Sequence, residues 1–272
     1  MEMDAYDPEF ARRSPAFSQL SPALMSHLAS LHDWPAVTDY ERLGELCTTP
    51  NAPELPKFAA VSPMVVKRAG GYEHFIAQHG IVPTRPGNWH DLFNALIWFH
   101  YPRFKWAANA LQIAECGSSE VDPRNKRTPV QSRAAQFDEG GVVVLVDDLR
   151  RLEPLEHFDW HTFFVTQRES FTEQIRCLVV GHALLEYLLQ PFMGITAKAL
   201  ALEWSAGQFL FANHERQSVD QQLAEQLPAA LRANHFHPLP VLGIPGWHAQ
   251  QTADFYADPR YFRRRRTLAS PG

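Results

Sequence analysis

Two apolar stretches carry polar side chains whose types and spacing could do chemistry. His182 and Glu186 lie four residues apart in GHALLEYLL. On a helix that spacing puts both on one face, about 6 Å apart. Nearly all their neighbours are apolar, so the helix should be largely buried. A lone carboxylate there would be costly unless it met the histidine or a metal ion. His90, Asp91 and Asn94 fill the polar gaps of NWHDLFNALIWFH. Imidazole plus carboxylate suits zinc, manganese or iron, so His90, Asp91, His182 and Glu186 form one candidate ligand set. Each pair also has a purely structural use. His182 and Glu186 could be a buried ion pair, and Asp91 in a first helical turn would complement the helix dipole.

Asp138 and Glu139 precede Gly140 and Gly141. Two carboxylates at a turn could be turn chemistry alone, or they could supply a further ligand or a general base beside the two helices. Arg124, Lys126, Arg127 and Arg133 lead into this segment. Loop arginines grip phosphate and carboxylate bidentately, which makes Arg127 and Arg133 candidate substrate-binding residues. GxxxxGK[ST], a helix-opening GxGxxG, GxSxG and HExxH are all missing, so a P-loop nucleotidase, a Rossmann dehydrogenase, an α/β-hydrolase and a zincin lose support.

These residues need elements to hold them. Asn88 can cap a helix from Trp89, along which Trp89, Leu92, Phe93, Leu96 and Ile97 recur at helical spacing. Phe104, Ala107, Ala108 and Leu111 predict a second helix after Pro102. In QFDEGGVVVLVD (136–147) a turn-rich DEGG precedes a β-branched run, the signature of a small hairpin. Trp160, Phe163 and Phe164 suggest a helix over 158–167. Ser170 and Glu173 form a capping box ahead of a helix predicted to reach about Leu189. The Ala/Leu-rich stretch 197–211 predicts another helix, and Ser218 with Gln221 caps one over 223–232. Proline clusters at 50–63, 81–88 and 238–246 favour extended backbone. The fold expected is mainly α (α+β), a compact multi-helix domain with one β-hairpin and an extended Pro/aromatic-rich C-terminal segment. Residues 1–16 would form an arm, 17–263 one globular domain, and 264–272 a disordered basic tail containing part of the Arg263–Arg266 run.

The 272 residues are 45% hydrophobic with a net charge of −5, ordinary for a packed domain. An acidic chain argues against nucleic acid, and a lone basic run does little to reverse that. The 177–195 stretch is apolar enough to suggest a membrane span. His182 and Glu186 in its middle argue for a buried helix instead. Cys47, Cys116 and Cys177 are odd in number and far apart, which points to reduced thiols in a cytoplasmic protein.

Four blocks, NWHDLFNALIWFHYPR (88–103), FDEGGVVVL (137–145), GHALLEYLLQPFMGITAKAL (181–200) and LPVLGIPGWHAQQTADFYADPRYFR (239–263), resemble an uncharacterised bacterial family, domain-of-unknown-function family 3025. The resemblance runs from about Phe17 to Arg263. It implies a single domain of bacterial, specifically proteobacterial, origin, and no activity.

Two functions remain open. One is a metal-assisted hydrolase using zinc, manganese or iron on a small acidic or phosphorylated substrate. The other is a non-catalytic protein that binds a small molecule or a protein, its His/carboxylate pairs only locking helices together.

Overall fold

The computed structural model describes residues 5–49, 51–115, 127–204 and 213–264. The first part is helical, with α1 (Pro22–Ala29), α2 (Tyr40–Glu45), α3 (Pro63–Arg68) and α4 (Tyr72–His79). The proline-bearing segments around them are extended, as their residues dictate. Two of them pair in parallel as β1 (Lys57–Ala59) and β2 (Ile81–Pro83). Two longer helices follow, α5 (Trp89–His100) and α6 (Pro102–Ala114). Asn88 caps α5, its Oδ1 accepting from the Asp91 amide at 3.1 Å, and the predicted apolar positions are buried. Before them, Phe10 and Phe17 pack their rings on Phe93.

The chain continues through α7 (Pro129–Gly140), β3 (Gly141–Val146), α8 (Glu153–Glu156), α9 (Ser170–Glu173), β4 (Ile175–Val179) and α10 (His182–Tyr187). It ends with β5 (Thr196–Glu203), α11 (Asn213–Ala233), β6 (His237–Pro240) and α12 (Ala253–Ala257). The larger sheet has the order β4-β3-β5-β6. Central β3 is antiparallel to β4 and parallel to β5, with Val144 opposite Cys177 on one side and Ala201 on the other. All six β3 residues are buried, which is what an uninterrupted GVVVLV requires.

The mixed α+β class is as expected, but several elements differ. The hairpin is not formed. DEGG is the last turn of α7 and the first residue of β3, a helix running into a strand without a loop. The helix expected over 170–189 is three elements, α9, β4 and α10, because Ile175–Val179 finds an open edge of β3 and tertiary pairing overrides the local capping signal. The described part of 197–211 is strand β5, with Ala197 and Ala199 buried and Thr196 and Lys198 exposed in alternation. Ser218 and Gln221 lie inside α11, not at its start, and 158–167 holds one π-helical turn, Thr162–Thr166. The C-terminal segment is not extended throughout. After β6 it turns through α12 and buries Tyr256, Tyr261 and Phe262. No helix of the described residues is long and apolar enough to cross a membrane.

His100, at the end of α5, ties this core to the N-terminal segment. Its Nδ1 faces the Leu96 carbonyl at 2.7 Å, and its Nε2 accepts from the Ser21 amide, also at 2.7 Å. Burial pushes the imidazole pKa down to about 3, against an ordinary 6.5. Between those values the unfolded chain takes up a proton that the folded chain refuses. The contribution of neutral His100 to stability is therefore complete above about pH 6.5 and is lost as pH falls towards 3. Urea midpoints should drop between pH 7 and pH 4.5. His100→Phe, which cannot take the proton, should start less stable but fall less over that range. Equal falls in the two proteins would contradict this account.

Candidate metal centre

Helices α5 and α10 pack against each other, and α10 also packs on α7. The contact depends on glycine. The backbone of Gly181, just before α10, crosses the α7–β3 junction so closely that a Cβ there would lie 2.6 Å from the Glu139 carbonyl oxygen and the Gly140 nitrogen. The Val180 and Gly181 amides both donate to the Gly141 carbonyl at 3.0 Å. This crossing sets His182 beside Asp138 and Glu139, while α5 brings His90 from the other side.

The two imidazoles meet edge to face, ring centroids 4.5 Å apart, with His90 Nε2 3.0 Å from His182 Nε2. Glu139 Oε2 lies 3.5 Å from His182 Nε2 and 4.0 Å from His90 Nε2. Behind each ring stands a carboxylate. His90 Nδ1 is 3.0 Å from Glu186 Oε2, and His182 Nδ1 faces Asp138 Oδ2 at 3.6 Å. Among the described residues, His90, Glu139 and His182 are the group whose ligand atoms all lie within 4.8 Å of one another.

The environments of the two histidines differ. Burial holds the His182 imidazole down to about 3, against the pull of Asp138. The hydrogen bond to Glu186 raises that of His90, against its partial burial. Burial raises the Glu139 carboxyl, with His90 opposing. Burial also works to raise Asp138, but the Lys105 ammonium and His182 hold it below its usual value. Lys105 is itself buried. It pairs with Asp138 Oδ1 and donates to Asn94 Oδ1 at 3.0 Å.

The expected site residues therefore divide. His90 and His182 converge, and Glu139 joins them. Glu186 does not pair with the histidine on its own helix. It crosses to His90 Nδ1 and is 36% exposed, not sealed in the core. Asp91 is turned away and held by Arg85, whose Nε and Nη2 donate to its two oxygens at 2.9 and 2.7 Å. Asp138 is tied to Lys105. Arg133 donates to the Leu231 carbonyl at the end of α11, so it is occupied by the fold and away from the cluster. Arg127 is exposed on the rim of a cleft of about 860 Å³ that opens over His90, Glu139 and His182. Arg124, Lys126 and the last part of the Arg263–Arg266 run lie outside the described residues. Sequence reasoning missed Lys105, although it falls on the apolar stripe of Phe104, Ala108 and Leu111 in α6, where a lone lysine signals a buried partner.

A family model described as protein of unknown function (DUF3025) matches residues 58–266. The match begins later than the resemblance from Phe17 implied. No curated protein and no solved structure matches the chain.

Proposed function

The chain belongs to the DUF3025 family, and from its own site we propose that His90, His182 and Glu139 hold a divalent metal ion and that the protein is a metal-assisted hydrolase of small acidic or phosphorylated substrates. One observation carries this reading. With the Nδ1 proton of His90 donated to Glu186 and that of His182 turned towards Asp138, 3.6 Å away and beyond hydrogen-bond reach, both Nε2 atoms present lone pairs to the same space, 3.0 Å apart, with a carboxylate oxygen beside them. Three such lone pairs repel unless a cation or a shared proton lies between them. Two nitrogen ligands at about 2.0–2.1 Å on a tetrahedral ion are about 3.3 Å apart, close to the spacing found. The Glu186 carboxylate behind His90 matches the usual way a protein fixes the tautomer of a ligating histidine.

Charge agrees. Asp138 and Lys105 cancel, leaving Glu139 and Glu186 to balance two positive charges. Two imidazoles and a carboxylate suit zinc, manganese or iron, and leave a position open towards the cleft. An ion there lowers the pKa of bound water towards neutrality. Arg127 and Lys67 on the cleft give an anionic substrate its counter-charges. Asp138 serves here as the group that orients His182, and Asp91 and Arg133 have no part in the reaction.

The non-catalytic reading has one observation in its favour. The raised pKa of His90 means that a proton on its Nε2, donated to His182, would also relieve the repulsion. Metal analysis separates the two. Protein purified without chelator, then incubated with Zn²⁺, Mn²⁺ or Fe²⁺ and desalted, should retain about one equivalent per chain. His90→Ala, His182→Ala and Glu139→Gln should lose it, and Asp91→Asn should keep it. Wild-type protein that retains less than about a tenth of an equivalent of every ion would leave the proton-sharing pair in its place.

A further inference from the structure

Tyr72 opens α4 and lines the same cleft as His90, Glu139 and His182. A chain of hydrogen bonds fixes the direction in which its hydroxyl must donate. The Lys105 ammonium has donors only, so the atom of Asn94 facing it must be the amide oxygen. The Asn94 NH₂ therefore faces the other way and donates to the Tyr72 hydroxyl oxygen at 2.9 Å. That oxygen is committed as an acceptor. Its own proton has no acceptor within hydrogen-bond distance among the described residues. Asn94 sits one turn along α5 from His90, and Asn94, Tyr72 and both histidines line one cleft. Tyr72 as a whole is 38% exposed and lines the cleft, while burial, with Asp138 nearby, keeps the hydroxyl protonated.

We propose that the Tyr72 hydroxyl donates to a non-bridging oxygen of a substrate phosphoryl group bound at the metal. The proposal rests on the metal reading above. A preset donor beside a metal ion is what an oxyanion needs, because it costs no reorientation when charge develops. Phosphoryl fits better than carboxylate. Lys67 and Arg127 line the cleft without an ion-pair partner among the described residues, and a phosphate dianion has enough oxygens to meet the metal, the phenol and these cations together. Asp138, Lys105 and Asn94 are positioning residues in this scheme, and Tyr72 touches the substrate.

The test uses the full chain, metal-loaded, titrated calorimetrically with inorganic phosphate and separately with acetate. Tyr72→Phe keeps the ring and deletes the hydroxyl, which is both the donor to phosphate and the acceptor of the Asn94 amide. Its metal content should equal that of the wild type, with a melting temperature lowered by the unpaired Asn94 amide, while phosphate affinity falls roughly tenfold or more, the loss of one hydrogen bond to a charged acceptor. Wild-type protein should bind phosphate more tightly than acetate. Phosphate affinity in Tyr72→Phe within about twofold of wild type overturns the proposal, and so does metal-loaded wild type that binds no phosphate or prefers acetate. Failure to load metal is seen before any phosphate is added. It sinks the metal reading itself, and this inference with it.

Discussion

Gly181→Ala should pull the His90–Glu139–His182 cluster apart and leave the protein unable to fold cooperatively, whereas Gly140→Ala, one chain position from the same crossing, should be almost silent. The contrast follows from what a methyl group would meet. At Gly140 nothing lies within 4 Å. At Gly181 the new Cβ would press on the Glu139 carbonyl oxygen and the Gly140 and Gly141 amide nitrogens, all backbone atoms. A flexible side chain could swing away from such a clash. A helix end fused to a central strand cannot. Relief would require α10 to lift from the α7–β3 junction, breaking the Val180 and Gly181 bonds to the Gly141 carbonyl and drawing His182 away from Glu139. We expect a loss at or beyond the upper end of overpacking, about 3 kcal/mol or more. Thermal melts followed by circular dichroism, with metal content on any soluble fraction, check it. A Gly181→Ala protein that melts like wild type would show that the crossing is looser than drawn.

The second large effect belongs to Lys105. Lys105→Met removes the charge that keeps Asp138 ionised in a buried setting, 15% exposed, with His182 its other neighbour. An uncompensated buried charge costs about 3–5 kcal/mol. The double variant Lys105→Met/Asp138→Asn removes both charges and should recover most of that loss. Urea melts of the two singles and the double at pH 7.5 give the coupling directly. A double variant as unstable as the sum of the singles would mean that Lys105 and Asp138 act independently, against the geometry.

What the sequence disclosed follows the range of the forces involved. Helix α5 was legible because its signals are local: an Asn88 cap and apolar residues at helical spacing. The pairing of His90 with His182 was legible too, since two polar side chains on apolar helices need a partner. Elements decided by distant pairing were misread. Ile175 to Val179 and the Ala/Leu run of β5 look helical by composition, and become strands only because β3 offers both its edges. DEGG looked like a turn because acidic and glycine residues serve turns and helix ends alike. In the site, Asp91 was expected among the ligands, and nothing in the sequence shows that Arg85, six residues before it, folds back to pair with it. Glu186 was assigned to His182 by its i,i+4 spacing. Which of two nearby histidines it meets is decided by the rotation of α10 against α5, a tertiary quantity.

Helix α10 is six residues long, too short to persist without the surfaces it lies on. His90, Glu139 and His182 come from segments more than forty residues apart along the chain. The cluster has a high contact order, so its closure belongs to the late, slow part of folding. On the metal reading proposed above, an ion would meet a finished pocket and have no foothold in the unfolded chain. Each tenfold rise in free metal above the dissociation constant then adds about 1.4 kcal/mol to the stability of the native state. On that reading, an ion held by His90, Glu139 and His182 would act as a clasp across three distant stretches, and its release would require α10 to peel from α5 and α7.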